Sequence, residues 1–229
     1  MKAILFDLDN TLIDFLTMKR RCTQAAVSAM IKAGLKMDYK KAYSVMFEMY
    51  KEHGIEDQTI FQKFLRKMGK VDYKILSAGI IAYRKVKVNE LVPYAGVKEV
   101  LNSLQKKGLK LGVVSDAPRL QAWLRLTEVG LVDYFDVVLG YEDTGEMKPS
   151  PLPFRKALKK MKLKPEEVVF VGDNLRRDIA GARKVGMKTV LAKYGQIKKG
   201  KGKADWEIES VNKLLNLIEN INKQKLLPT

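Results

Sequence analysis

The first fourteen residues, MKAILFDLDNTLID (1–14), contain a short apolar run that ends abruptly in charge. The run from Ala3 to Phe6 is continuously apolar, which is typical of a strand buried on both faces of a parallel sheet. Asp7 and Asp9 follow it, one residue apart. Two carboxylates this close repel and raise each other's pKa unless a positive group lies between them. The stretch therefore predicts a buried strand whose carboxyl end binds something positive.

From Pro93 onward, apolar runs typical of strands alternate with amphipathic stretches typical of helices. This alternation predicts an α/β fold with a mainly parallel, Rossmann-like sheet and helices on both of its faces. The predicted strands are Leu111–Val114, Val137–Leu139, Val168–Val171 and Thr189–Ala192, with a last short strand and a closing helix after Ala204. The predicted helices include Val97–Lys107, Phe154–Met161 and a segment that passes through Ile179 and Ala182 and stops at Gly186. We expect residues 1–14 and 91–229 to form this domain, with Pro228 and Thr229 frayed.

Between these parts, residues 15–90 show four amphipathic segments, which predict a small α-helical bundle. The first three segments each end in a glycine, which readily adopts the left-handed conformation past a helix end: Gly34, Gly54 and Gly69. The fourth segment ends near Asn89, and Asp57 and Asp72 are the expected N-caps of the last two helices. We expect this bundle to be a cap domain inserted after the first strand.

The 229-residue chain carries a formal net charge of +17, which raises nucleic-acid binding as an alternative function. The basic residues are nevertheless spread along the chain, with local density at 159–164 and in KKGKGK (198–203). No recognisable nucleic-acid-binding module accompanies them. We therefore expect no nucleic-acid partner, and interpret the charge as a solvated surface that attracts small anions.

The single cysteine, Cys22, has no partner for an internal disulfide and no histidine or cysteine cluster for zinc, so we expect it in the core. The N-terminal apolar run is too short for a signal peptide or a membrane span. We expect a cytoplasmic protein without membrane contact, present as a monomer or a homodimer.

Polar residues follow the predicted strands at their carboxyl ends, where open α/β sheets bind ligands. Four motifs occur there in order: DLDNT (7–11), VVSDA (113–117), MKPSP (147–151) and VGDNLRRD (171–178). Together they resemble the motifs of the haloacid dehalogenase superfamily, in its phosphatase branch with a helical cap inserted after the first motif. The resemblance extends from Ala3 to about Ile218.

This resemblance implies a phosphatase that hydrolyses small phosphate monoesters, such as glyceraldehyde 3-phosphate, phosphoglycolate or sugar phosphates. Asp7 would be the nucleophile that forms an aspartyl-phosphate, and Asp9 would be the general acid and then the general base. Lys148 would neutralise charge between Asp7 and the phosphate, because a carboxylate attacks an anion only when cations offset the repulsion.

The resemblance also implies a phosphate pocket formed by Thr11, Ser115, Asp116 and Lys148. At Asp116 the chain departs from the family, in which asparagine often follows the serine or threonine. The implied metal ligands are the Asp7 side chain, the Asp9 backbone carbonyl, Asp173 and Asp178, the last directly or through water. A donor set of oxygens alone, without histidine or cysteine, suits Mg²⁺.

Other interpretations stay open at this point. Haloacid dehalogenase activity is disfavoured, because those enzymes carry a tyrosine in place of Asp9. A sugar phosphomutase of the same superfamily would also retain Asp9 and remains an alternative. A basic nucleic-acid-binding or phosphate-sensing protein is the alternative of another class. Asp178 also fits a plain charge near a helix N-terminus, and Lys148 a plain surface charge.

Overall fold

The computed structural model describes residues 1–197 and 200–224, so Pro228, Thr229 and part of the KKGKGK stretch lie outside the described residues. Six strands form one parallel sheet in the order β3-β2-β1-β4-β5-β6. The strands are β1 Ala3–Phe6, β2 Lys110–Val114, β3 Val137–Leu139, β4 Val168–Gly172, β5 Lys188–Ala192 and β6 Trp206–Ile208. The predicted α/β class is confirmed, and the strand order reverses at β1, where sheets of this kind form a ligand crevice.

Helices pack against the sheet and bury most of its strand residues. Every residue of β1 and β4 is buried, as their continuous apolar runs predict. The helices that follow in this part of the chain are α5 Val97–Lys106, α6 Arg119–Glu128, α7 Pro151–Met161, α8 Ala180–Lys184 and α9 Lys213–Gln224. Helix α5 packs against α9, and α7 packs against α8.

Helix α7 begins three residues before the predicted start at Phe154. The Ser150 side chain accepts a hydrogen bond from the Leu152 amide at 3.1 Å, and Pro151 occupies the first helical position. Both features are typical of a helix N-terminus, because the cap satisfies an amide and proline needs no partner there.

The inserted segment forms four helices: α1 Phe15–Lys32, α2 Tyr39–His53, α3 Ile60–Lys67 and α4 Tyr73–Glu90. They bury a core of their own that includes Met30, Met46 and Phe64. Asp72 caps α4 as predicted. The predicted cap at Asp57 is wrong, because its carboxylate binds the amide and hydroxyl of Thr59, and α3 begins only after that turn.

By spatial clustering the chain divides into two compact units. One comprises Met1–Asp14 with the chain from Pro93 onward, and the other is Phe15–Val92. The second boundary falls two residues after the predicted one. Cys22 lies buried beside Met18, as expected of a core residue. Within the described residues, no helix is both long enough and apolar enough to cross a membrane.

Candidate active site

The carboxyl ends of β2, β1 and β4 bring three motif residues to one edge of the sheet. Phe6 is in register with Val113 on one side and Val171 on the other. Asp7 continues this register, since its amide donates to the Val171 carbonyl at 2.9 Å. Ser115 and Asp173 directly follow β2 and β4, so adjacent strands place them on either side of Asp7.

Asp7 is the centre of the site and is only 2% exposed. Its Oδ1 accepts a hydrogen bond from Lys148 Nζ at 2.5 Å. Its Oδ2 accepts a long one from Thr11 Oγ1 at 3.4 Å and lies 3.4 Å from Arg177 Nη2. Burial, followed by the neighbouring Asp178 carboxylate, raises the pKa of Asp7 despite both cations. A further positive charge beside Asp7 would favour its ionised form.

Lys148 is a buried structural cation and not a surface lysine. Its Nζ contacts Asp7, lies 2.7 Å from Asp178 Oδ1 and donates to the Val114 carbonyl at 2.8 Å. Burial alone would lower its pKa, but Asp178 and Asp7 raise it above its ordinary value. The ammonium thus stays charged and fixed between two carboxylates.

Asp7, Asp173 and Asp178 form a buried carboxylate cluster that fits a metal ion. Their ligand oxygens lie within 4.8 Å of one another. None of the described residues donates a hydrogen bond to Asp173 Oδ1, although this oxygen is buried. Burial, then Asp7 and Asp178, raise the pKa of Asp173 to about 9. Hard oxygen donors with unmet bonding capacity suit a divalent cation such as Mg²⁺ or Mn²⁺.

Asp178 differs from Asp7 and Asp173 because neighbouring cations of the protein compensate its negative charge. Burial would raise its pKa, yet Lys148 and Arg177 hold it below the usual value. Its Oδ2 accepts a hydrogen bond from the Asn174 amide at 3.1 Å. Gly172 permits this packing, since a Cβ there would lie 2.6 Å from the Cβ of Asp178. Asp178 is therefore more than a charge at a helix N-terminus.

Asp9 lies outside this carboxylate cluster and pairs with Arg125, which the sequence analysis did not identify. Arg125 Nη1 donates to Asp9 Oδ2 at 2.5 Å, and the two side chains are 4% and 19% exposed. Arg125 shares the buried face of α6 with Ala122 and Leu126. The sequence signal was therefore an arginine at helical spacing on an apolar face. The predicted metal contact of the Asp9 carbonyl stays a prediction.

Arg177 is the second residue that the sequence analysis missed. It belongs to one π-helical turn, Leu175–Ile179, of a kind often found at functional sites. The Asn174 side chain caps this turn by accepting hydrogen bonds from the Arg176 and Arg177 amides at 3.0 and 3.1 Å. The available sequence signal was its position four residues after Asp173 in the fourth motif.

Besides Lys148, three residues are predicted to bind phosphate, and each makes different contacts. Thr11 is buried and directed at Asp7. Ser115 contacts its own turn, where its Oγ accepts from the Ala117 amide at 3.1 Å. Asp116 Oδ1 accepts from the Lys148 amide at 2.9 Å, and its Oδ2 lies 3.4 Å from Arg177 Nε. Asp116 thus contacts two residues that carry positive charge.

A close backbone approach fixes the loop that follows Asp9. A Cβ on Gly195 would lie 1.5 Å from the carbonyl oxygen of Asn10, so only glycine fits there. Asn10 itself has a positive φ of 62°. The Tyr194 hydroxyl donates to the Thr11 carbonyl at 2.8 Å. These contacts hold the backbone on which Asp9 and Thr11 are placed.

The chain is similar to known proteins over nearly its whole length. It matches the family model of the haloacid dehalogenase-like hydrolases over residues 4–192. It is 36% identical over 228 residues to the glyceraldehyde 3-phosphate phosphatase of Pyrococcus furiosus, covering 97% of this chain and 95% of that one. It is 37% identical over 226 residues to the enzyme of the same name from Methanocaldococcus jannaschii, covering 97% and 99%. Among solved structures, a HAD phosphatase from Thermococcus onnurineus has a TM-score of 0.71 and 27% identity, over 95% of this chain and 98% of that one.

Proposed function

The chain belongs to the haloacid dehalogenase-like hydrolases and is a phosphatase of that family, and we propose that it hydrolyses small phosphate monoesters through phosphorylation of Asp7. The observation that carries this proposal is the buried Asp7 carboxylate, held by Lys148 at 2.5 Å and grouped with two further carboxylates. Burying like charges together is costly unless cations offset them. A purely structural role does not account for that cost.

In the proposed reaction an Asp7 oxygen attacks phosphorus, and the bond to the ester oxygen breaks. Asp9 donates a proton to the leaving oxygen, which departs as an alcohol. Asp9 then accepts a proton from water, whose oxygen attacks the phosphorus of the aspartyl-phosphate and restores the Asp7 carboxylate. Lys148 lowers the charge repulsion in both steps because its ammonium is fixed beside Asp7.

We propose Mg²⁺ as the cofactor, with Asp7, Asp173 and Asp178 as protein ligands and the Asp9 carbonyl as a further one. Its chemistry would be to offset the negative charge of the phosphoryl group during transfer. The raised pKa of Asp173 supports this assignment, because a cation beside that carboxylate would let it ionise at neutral pH.

Thr11 and Ser115 are proposed to donate hydrogen bonds to the phosphoryl oxygens. For Asp116 we propose an indirect role, since a carboxylate repels phosphate. Its hydrogen bond to the Lys148 amide and its contact with Arg177 instead orient the two cations.

The substrate is a small phosphorylated metabolite, and we propose glyceraldehyde 3-phosphate as the first candidate. Two relatives that match nearly the whole chain carry that activity in their names. Phosphoglycolate and sugar phosphates remain in the proposed range. We also propose a cytoplasmic monomer or homodimer without a nucleic-acid partner.

The experiment that tests the proposal is phosphate release from a panel of these esters, with Mg²⁺ and with chelator. Asp7→Asn should lower the rate at least about 1,000-fold, because it removes the nucleophile. Asp133→Asn is the matched control, since Asp133 is exposed and distant from the motifs in sequence; it should retain full activity. Turnover by folded Asp7→Asn protein would contradict the assignment.

The same panel separates the alternatives. A phosphomutase would return an isomeric sugar phosphate without free phosphate. A nucleic-acid-binding protein would show salt-dependent binding and no turnover.

A further inference from the structure

The guanidinium of Arg177 lies among the carboxylates of the acidic cluster. Its Nη2 is 3.4 Å from Asp7 Oδ2 and 3.5 Å from Asp173 Oδ1. Its Nε is 3.4 Å from Asp116 Oδ2 and 3.5 Å from Asp178 Oδ1. One arginine side chain thus faces four carboxylates at distances longer than an ideal ion pair, and satisfies none of them closely.

The carboxylates that Nη2 faces are two of the proposed metal ligands. A divalent cation bound to them at about 2.0–2.1 Å would bring two positive charges close to the guanidinium. Like charges repel strongly in a buried site, where water screens them poorly. The two cations therefore compete for the same negative charge.

We propose that Arg177 is an internal counter-cation, which stabilises the acidic cluster in the metal-free protein and weakens its affinity for divalent cations. This inference rests on the proposed function only in taking the cluster as a metal site. It assigns to Arg177 a role in setting metal affinity, separate from any contact with phosphate.

The surroundings of Arg177 give it room to move when a metal ion binds. Its side chain is 33% exposed, in contrast to the buried Lys148. A cavity of about 400 Å³ adjoins it, lined by residues 174–177 together with Lys148 and Pro149. The guanidinium can therefore leave the carboxylates for solvent or this cavity.

A competing interpretation makes Arg177 solely a phosphate ligand, whose long contacts with the carboxylates contribute no net energy. The two interpretations predict different properties of the protein even when no substrate is present. A counter-cation lowers Mg²⁺ affinity and stabilises the metal-free protein, whereas a simple phosphate ligand changes neither.

The test is isothermal titration of the full-length, chelator-treated protein with MgCl₂ alone. Arg177→Met should bind Mg²⁺ at least about tenfold more tightly than the natural protein, because it removes the competing charge. Arg177→Gln is a second neutral variant in case methionine prevents folding, and Arg177→Lys, which keeps the charge, should stay near the natural affinity. Arg176→Met is the matched control, since it removes the same charge from the adjacent, exposed position; its affinity should change less than threefold.

Thermal unfolding of the same proteins gives an independent readout. The metal-free neutral variants should melt at lower temperature than the natural protein, and Mg²⁺ should raise their Tm by more. Equal or weaker Mg²⁺ binding by both folded neutral variants, with binding intact in the natural protein, would overturn the counter-cation role and leave the phosphatase proposal standing. Absence of Mg²⁺ binding in every folded variant would overturn this inference together with the metal site.

Discussion

Replacing Arg125 by methionine should slow the phosphorylation of Asp7 by substrates whose leaving group needs a proton. The substitution removes the 2.5 Å hydrogen bond from Arg125 Nη1 to Asp9 Oδ2. Methionine is long, flexible and apolar, so it fills much of the buried position on α6 without the charge. Asp9 then loses a group that fixes the direction of its carboxylate.

The magnitude follows from the burial of this pair. A hydrogen bond to a charged group contributes about 1.5–3 kcal/mol, more than a neutral one. Because the side chains are 4% and 19% exposed, solvent screens the pair only partly. A loss of about 2 kcal/mol from the transition state corresponds to a rate about 30-fold lower. This is less than the roughly 100- to 10,000-fold that general acid catalysis contributes, since Asp9 itself remains.

The assay compares two leaving groups in a single turnover, so that hydrolysis of the phosphoenzyme does not mask the first step. An alkyl phosphate such as glyceraldehyde 3-phosphate should react about 30-fold more slowly, and p-nitrophenyl phosphate less than about threefold, because nitrophenolate leaves without a proton. Arg125→Lys should recover part of the rate, and Arg119→Met, at an exposed position on the same helix, should lose none. Equal losses for both leaving groups, or a change in KM alone, would refute the positioning role.

Further predictions concern the buried lysine, a tight glycine and an acid-sensitive ion pair. Lys148→Met should lower kcat at least about 1,000-fold with an unchanged circular dichroism spectrum, because its ammonium offsets charge in the acidic cluster. Gly195→Ala should lower the Tm by about 5 °C in calorimetry, since its Cβ would lie 1.5 Å from the Asn10 carbonyl oxygen. Burial alone would raise the pKa of Asp57, but hydrogen bonds, led by the one from Lys63, lower it from 3.8 to about 2. This depressed pKa stabilises the fold above pH 3.8, and the stabilisation is lost as the pH falls through 2. In urea unfolding, Asp57→Asn should therefore have a free energy of unfolding about 1 kcal/mol lower than that of the natural protein at neutral pH, and this difference should vanish between pH 3.8 and 2.

The sheet is predictable from the sequence because buried parallel strands leave continuous apolar runs. Strand β3 has the predicted bounds, whereas β2 and β5 each begin one residue earlier, at Lys110 and Lys188. Both lysines are exposed, so the apolar pattern carries no signal for them. Asp57 shows a different limit: it fits the N-cap pattern, but the turn that it forms with Thr59 ends one residue before the helix.

The acidic cluster is predictable because the carboxyl ends of adjacent parallel strands meet at one edge. Asp7 and Asp173 follow strands that are neighbours in the sheet, which is enough to bring them together. The two arginines are not predictable in this way. Arg125 meets a carboxylate 116 residues away, and Arg177 meets Asp7 from 170 residues away. Helical periodicity places Arg125 on a buried face, but only the tertiary fold determines what that face contacts.

The carboxylates of the acidic cluster carry more negative charge than the cations beside them offset. Four carboxylates face two cations, namely Asp7, Asp116, Asp173 and Asp178 against Lys148 and Arg177. With all of them ionised, two negative charges remain in excess, although the raised pKa of Asp173, about 9, lets a proton take up one of them. The net charge of +17 attracts a phosphate ester to the surface, but the excess negative charge repels it from Asp7 itself. We therefore expect a phosphate ester to bind beside Asp7 more tightly once a cation has neutralised that excess.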